Sequence, residues 1–143
     1  MKLLNFSSRG FSLLEVMVAL VIVGILAAVA FPAYQDSVTK TRRAEGQAAL
    51  LDLQNRMERY FIDNNSYADA NIGGGDADEI LSSAATENGW YNLQISSTAT
   101  TYTLSAVPQG AHATNDTKCG TLSITNLGVK SESGTATDAK DCW

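Results

Sequence analysis

Residues 10–34 read GFSLLEVMVALVIVGILAAVAFPAY, the longest apolar stretch of the chain. From Val16 to Tyr34 there is no charged residue over 19 consecutive positions. A helix of about 20 apolar residues spans the hydrocarbon core of a bilayer. The run is therefore expected to meet lipid or other apolar helices rather than a water-soluble core. Lys2 and Arg9 precede it, so the positive-inside rule leaves the amino terminus in the cytoplasm and sends the remainder outward. A secretory signal has a shorter apolar region, about 7–15 residues, before a small-residue cleavage site. Ala27-Ala28-Val29-Ala30 would supply such a site, but the run is too long for that reading. A plain single-span anchor explains the run and leaves Glu15 unexplained.

Glu15 is the informative residue. A lone carboxylate in hydrocarbon costs about 2.5–3.5 kcal/mol on insertion scales, and such residues usually have a partner and a task. Glu15 can snorkel at the interface, or it can meet a positive charge. Cleavage after Gly10 would create that charge, an amino group on Phe11 at similar depth.

The segment Gly10-Phe11-Ser12-Leu13-Leu14-Glu15-Val16 resembles the class III signal of type IV pilins and pseudopilins. The resemblance implies that a prepilin peptidase cuts between Gly10 and Phe11 and that Phe11 is then N-methylated. The glutamate at the fifth position after the cut is a hallmark of that family, and Glu15 occupies it. Loss of Lys2 and Arg9 would leave eight basic and fifteen acidic residues, a net charge of −7. The family also implies the fold: α+β, with a long N-terminal helix packed on a small antiparallel sheet of three or four strands. In pilins, segments around helix-weakening residues bend or melt on assembly, a role that would fall here on Gly24 and Pro32.

Beyond Tyr34 the pattern stays helical but turns polar. Leu50, Leu53, Met57, Tyr60 and Phe61 form one stripe of a 3.6-residue helix and need a covering layer. Lys40, Arg42 and Arg43 could hold a phosphate or DNA, but such a run more often marks a solvated face. Residues 63–88 have loop composition, with Gly73-Gly74-Gly75 in the middle. Asp76, Asp78 and Glu79 are hard-oxygen ligands without EF-hand spacing, so no metal is expected there. Strand signals follow at Trp90–Ile95, Thr100–Val107 and Gly120–Thr125, with a short fourth strand at Val129–Ser131. The expected organisation is thus a leader at 1–10, an anchor and assembly helix at 11–34, its amphipathic continuation at 35–62, a loop at 63–88 and the sheet at 89–143.

Cys119 and Cys142, with His112 as the sole histidine, cannot supply the four ligands of a closed zinc site. For an exported domain the natural reading is a disulfide. The resemblance implies the same, because two cysteines close the C-terminal region of many pilins. Major pseudopilins usually carry a calcium site instead. No nucleophile–base pair, phosphate loop or dinucleotide motif appears, so no enzyme activity and no cofactor are expected.

The resemblance therefore points to a structural filament subunit. Its partners would be other pilin subunits, the prepilin peptidase, the inner-membrane assembly machinery, and membrane lipid before assembly. It would sit in the inner membrane with its C-terminal domain in the periplasm, then on the surface of a Gram-negative cell in a pilus serving adhesion, twitching motility or DNA uptake. The alternatives are a DNA-binding minor competence pilin and a pseudopilin of type II secretion. Nucleic acid is not favoured, because the overall charge is −5 and only Lys118, Lys130 and Lys140 are basic over residues 89–143.

Overall fold

A computed structural model describes residues 10–143. The expected leader, including Lys2 and Arg9, falls outside the described residues except for Gly10, which is exposed and belongs to no element. The first helix, α1, runs Leu13–Asn64, 52 residues. Ser12 opens it, its carbonyl accepting from the Val16 N–H at 3.2 Å. Asn65 closes it in the left-handed region, φ 54°, while its N–H returns to the Phe61 carbonyl at 2.7 Å. Asparagine tolerates that conformation better than most residues.

The chain divides into two compact units, one ending at Ser37 and the other Val38–Trp143. In the first, helical geometry passes through both Gly24 and Pro32. Every apolar side chain of this unit is exposed, from Phe11 to Tyr34. The helix is long and apolar enough to cross a membrane.

In the second unit, the sheet covers the stripe of α1. Its strands are β3 (Tyr91–Ser97), β4 (Tyr102–Pro108), β5 (Leu122–Thr125) and β6 (Lys130–Glu132), antiparallel and in sequential order. Leu93 pairs with Ala106, Ile95 with Leu104, Leu104 with Ile124 and Ala106 with Leu122. One face thus carries Tyr91, Leu93, Tyr102, Leu104, Ala106, Leu122 and Ile124, all buried with Leu50, Leu53, Met57 and Tyr60 of α1. Sequence periodicity placed these residues on their faces, and Phe61 packs against the same core from its edge. At Gly46 the helix lies tight against the sheet: a Cβ there would lie 2.8 Å from the Tyr91 ring.

The loop between α1 and β3 is more ordered than its composition suggests. It contains a two-stranded parallel sheet, β1 (Asn71–Ile72) with β2 (Glu79–Leu81). Asn71 donates from its amide to Asp76 at 2.9 Å, and Asp76 accepts from the Asp78 N–H at 3.1 Å. The Tyr60 hydroxyl donates to Asp78 at 2.7 Å, which pushes the phenol pKa up to about 12. These carboxylates, weighed in the sequence as metal ligands, hold loop geometry. A second segment, Gly110–Asn115, forms a short helix, α2, where the sequence reads as loop. After β6, residues Ala139–Asp141 form a 3-10 turn.

Candidate functional site

Two regions carry the functional argument. The first is the amino-terminal end of α1. Phe11 is 81% exposed, and the Gly10–Phe11 bond precedes the helix in exposed chain. Glu15 lies in the first turn of α1. A carboxylate there suits the positive end of the helix dipole. Among the described residues Glu15 has no ion-pair partner, and its neighbours Leu13, Leu14, Val16 and Met17 are exposed hydrophobics. Within one chain this end is an apolar rod with a single carboxylate.

The second region is the C-terminal part of the domain. Cys119 and Cys142 are bonded, with Cα atoms 5.6 Å apart, and both are buried. In the chain-entropy model, closing a loop of this size stabilises by about 3 kcal/mol. The closed segment carries β5 and β6, with Leu122 and Ile124 in the core, so the crosslink chiefly holds the polar stretch after β6 against the domain. The Gln47 amide of α1 also donates to the Cys142 carbonyl at 2.7 Å.

Within the Val38–Trp143 unit lies a buried polar cluster that sequence reasoning missed. Arg43 is 8% exposed, not a solvated charge. Its Nε and Nη2 donate to the two oxygens of Asp116 at 2.9 and 2.6 Å. Hydrogen bonding to Asp116 raises the guanidinium pKa further, against the cost of burial. His112, fully buried on α2, shares a hydrogen bond with the Tyr91 hydroxyl, Nε2 to Oη 2.8 Å. Its Nε2 also lies 3.9 Å from Asp116. Burial pushes the His112 imidazole below its ordinary pKa, and the Tyr91 phenol above its own. Arg42 is likewise engaged, its guanidinium 3.6 Å from the centroid of the Trp90 ring. The basic cluster thus contributes a core ion pair and a cation–π contact. Arg43 and Asp116 are 73 residues apart, so no local signal could have paired them.

A long N-terminal helix, apolar in its first half and packed in its second half on a four-stranded antiparallel sheet, is the fold of type IV pilins. A family model described as the prokaryotic N-terminal methylation motif matches residues 5–31. A second, described as "Type IV minor pilin ComP, DNA uptake sequence receptor", matches residues 32–123, and the chain belongs to that family of type IV pilins. Such pilins are structural proteins, not enzymes.

The chain is similar to fimbrial protein EcpC of Eikenella corrodens, 28% identical over 137 residues, which cover 94% of this chain and 80% of that one. Type IV major pilin protein PilE1 of Neisseria gonorrhoeae is 33% identical over 72 residues, 50% of this chain and 44% of its own. Type II secretion system core protein G of Pectobacterium carotovorum is 35% identical over 63 residues, 44% and 40% of the two chains. The chain thus spans less than half the length of these last two relatives. The minor pilin PilV of Neisseria meningitidis has the same fold, with a TM-score of 0.51 at 21% identity over 72% of this chain and 94% of that structure.

Proposed function

We propose that this chain is a minor subunit of a type IV pilus, cut between Gly10 and Phe11, methylated at Phe11 and polymerised through α1. The exposed apolar surface of Phe11–Tyr34, whose only charged residue is Glu15, carries this reading. That surface is unstable in water and has two compatible settings, lipid before assembly and packed helices after it. Glu15 meets the Phe11 amino group of the next subunit and sets the register. Head-to-tail contacts of this kind do not close and so build open filaments. Gly24 and Pro32 are the positions at which α1 yields as subunits pack, since proline lacks the N–H that the Ala28 carbonyl would otherwise accept. Before assembly the domain lies on the periplasmic side of the inner membrane. The prepilin peptidase, other pilins and the inner-membrane assembly machinery are its partners.

The long match to a fimbrial protein and the Cys119–Cys142 bond favour a pilus over a secretion pseudopilus. In the test, Glu15→Ala gives a processed, membrane-held monomer that is missing from filaments. Normal incorporation of that variant would overturn the pairing.

One observation favours a further role. The family matched over residues 32–123 is named for DNA uptake sequence reception. Several basic residues are already engaged: Arg43 with Asp116, Arg42 with Trp90, Arg56 with Asp52 and Lys118 with Asp141. Lys40, Arg59, Lys130 and Lys140 remain for phosphates. If this role applies, the full chain in detergent binds duplex DNA with an affinity that falls steeply with salt. Absence of binding at low salt removes it.

A further inference from the structure

The β5–β6 hairpin ends in a tight turn, Asn126–Val129. The Gly128 N–H donates to the Thr125 carbonyl at 2.9 Å and the Thr125 N–H to the Val129 carbonyl at 3.1 Å. Gly128 has φ +74°, a left-handed conformation that glycine adopts without strain. The turn therefore holds its shape while presenting Leu127, 83% exposed, and Val129, 59% exposed. Beside it, Gly128, Lys130, Asp138, Ala139, Lys140 and Trp143 line an open hollow of about 370 Å³. The Trp143 indole N–H donates to the Ser131 carbonyl at 3.0 Å, and the Lys130 ammonium lies 4.8 Å from the ring centroid.

The nearby acids are occupied. Asp138 accepts from the Lys140 N–H at 2.9 Å, Glu132 from the Gly134 N–H, and Asp141 pairs with Lys118 at 3.3 Å. Among the described residues, neither Lys130 nor Lys140 has an ion-pair partner. This end of the domain thus combines two protruding aliphatic side chains, a half-buried indole with its N–H satisfied, and two ammonium groups that no carboxylate pairs with directly, although Asp138 and Glu132 keep their charge nearby. It lies beyond residue 123, outside the segment matched by the DNA-receptor family.

We infer that this tip docks onto an anionic lipid surface. Leu127 and Val129 enter the boundary between headgroups and acyl chains, Trp143 sits at headgroup depth, and Lys130 and Lys140 meet lipid phosphates. Each component fits that role: apolar residues bury at the interface, tryptophan concentrates there, and juxtamembrane lysines are drawn to anionic leaflets. Duplex DNA would satisfy the lysines but offers no apolar phase for Leu127 and Val129. A stable protein partner ordinarily engages about 20–30 residues a side, far more than this tip presents. The inference does not depend on the filament reading.

The test uses the full chain, held by α1 in nanodiscs of zwitterionic phosphatidylcholine, mixed with separate vesicles. Trp90→Phe leaves Trp143 as the only tryptophan. Vesicles containing about 30% phosphatidylglycerol are expected to carry the nanodiscs on flotation, while pure phosphatidylcholine vesicles do not. Trp143 emission shifts to the blue and is quenched by brominated acyl chains. The Leu127→Ser/Val129→Ser pair abolishes the quenching. Lys130→Ala/Lys140→Ala weakens capture by about 25-fold, about fivefold for each lysine. These variants change exposed side chains, and an unchanged circular dichroism spectrum confirms the fold. No capture by anionic vesicles overturns the inference. So does capture or quenching that ignores the loss of Leu127 and Val129. Binding of a DNA duplex that Lys130→Ala/Lys140→Ala abolishes, with no capture by anionic vesicles, would assign the tip to nucleic acid instead.

Discussion

Asp116→Asn isolates the energetics of the buried ion pair. The substitution keeps the shape of the side chain and one acceptor oxygen. It removes the negative charge and replaces the other oxygen with an amide nitrogen that faces guanidinium N–H groups. Arg43 and Asp116 side chains are only 10% and 1% exposed, so water cannot rescue the stranded cation. Breaking one side of a buried pair costs about 3–5 kcal/mol. At roughly 4 °C per kcal/mol for a domain of this size, the melting midpoint falls by about 12–20 °C.

The assay is thermal unfolding of the full chain in detergent, followed by near-ultraviolet circular dichroism of the tyrosines and tryptophans. The control is Asp52→Asn, which opens the exposed Arg56–Asp52 pair, with side chains 42% and 57% exposed, and costs under about 1 kcal/mol. Replacing both partners, Arg43→Met with Asp116→Leu, recovers most of the lost stability, because no unpaired charge remains. If Asp116→Asn loses no more than Asp52→Asn, the buried pair does not hold α1 to the domain and the reasoning fails.

Two further outcomes rest on the same neighbourhood. Gly46→Ala gains about 1 kcal/mol of helix propensity, but overpacking against the Tyr91 ring costs about 1–3 kcal/mol. The ring is held by its bond to His112, so chemical denaturation should show a net loss, whereas Gly24→Ala, with no atom within 4 Å of the added Cβ, leaves domain stability unchanged. His112 supplies a pH dependence. Its folded pKa is depressed, chiefly by burial, with Asp116 opposing and Arg42 and Arg43 reinforcing. Its contribution is therefore fully present above the unfolded value of about 6.5 and is lost as pH falls below it. Urea midpoints should decline from about pH 7 toward pH 5, above the range of ordinary carboxylates, and His112→Gln should flatten that decline.

The parts of the fold written in periodic sequence were legible. The charge-free run from Val16 to Tyr34 and the stripe Leu50, Leu53, Met57 and Tyr60 announce one helix with two environments. The alternation of Tyr102, Leu104 and Ala106, and of Leu122 and Ile124, announces strands with one buried face. The strands β1 and β2 were not legible, because two or three residues show no period and their geometry comes from the Asn71, Asp76 and Asp78 hydrogen bonds. Helix α2 reads as loop because Gly-Ala-His-Ala-Thr-Asn is short and mixed. Only the packing of His112 under Tyr91 gives it a buried side. Arg43 was misread for a related reason, since it looks like one of three surface cations until Asp116 arrives from far along the chain. At the candidate site, the Gly-Phe-Glu spacing is a local motif and so is visible in one sequence. The exposed tip at Leu127 and Val129 depends on which neighbours fold against it.

A pilus subunit of this kind must be processed at its amino terminus and enter filaments. The most direct measurement is the intact mass and N-terminus of every subunit in filaments sheared from the source cells. The account predicts a trace species that begins at N-methylated Phe11 and is two hydrogens lighter than the reduced chain, from the Cys119–Cys142 bond. A chain that still begins at Met1 in mature cells, or a processed chain that stays in the envelope and never enters filaments, would contradict it.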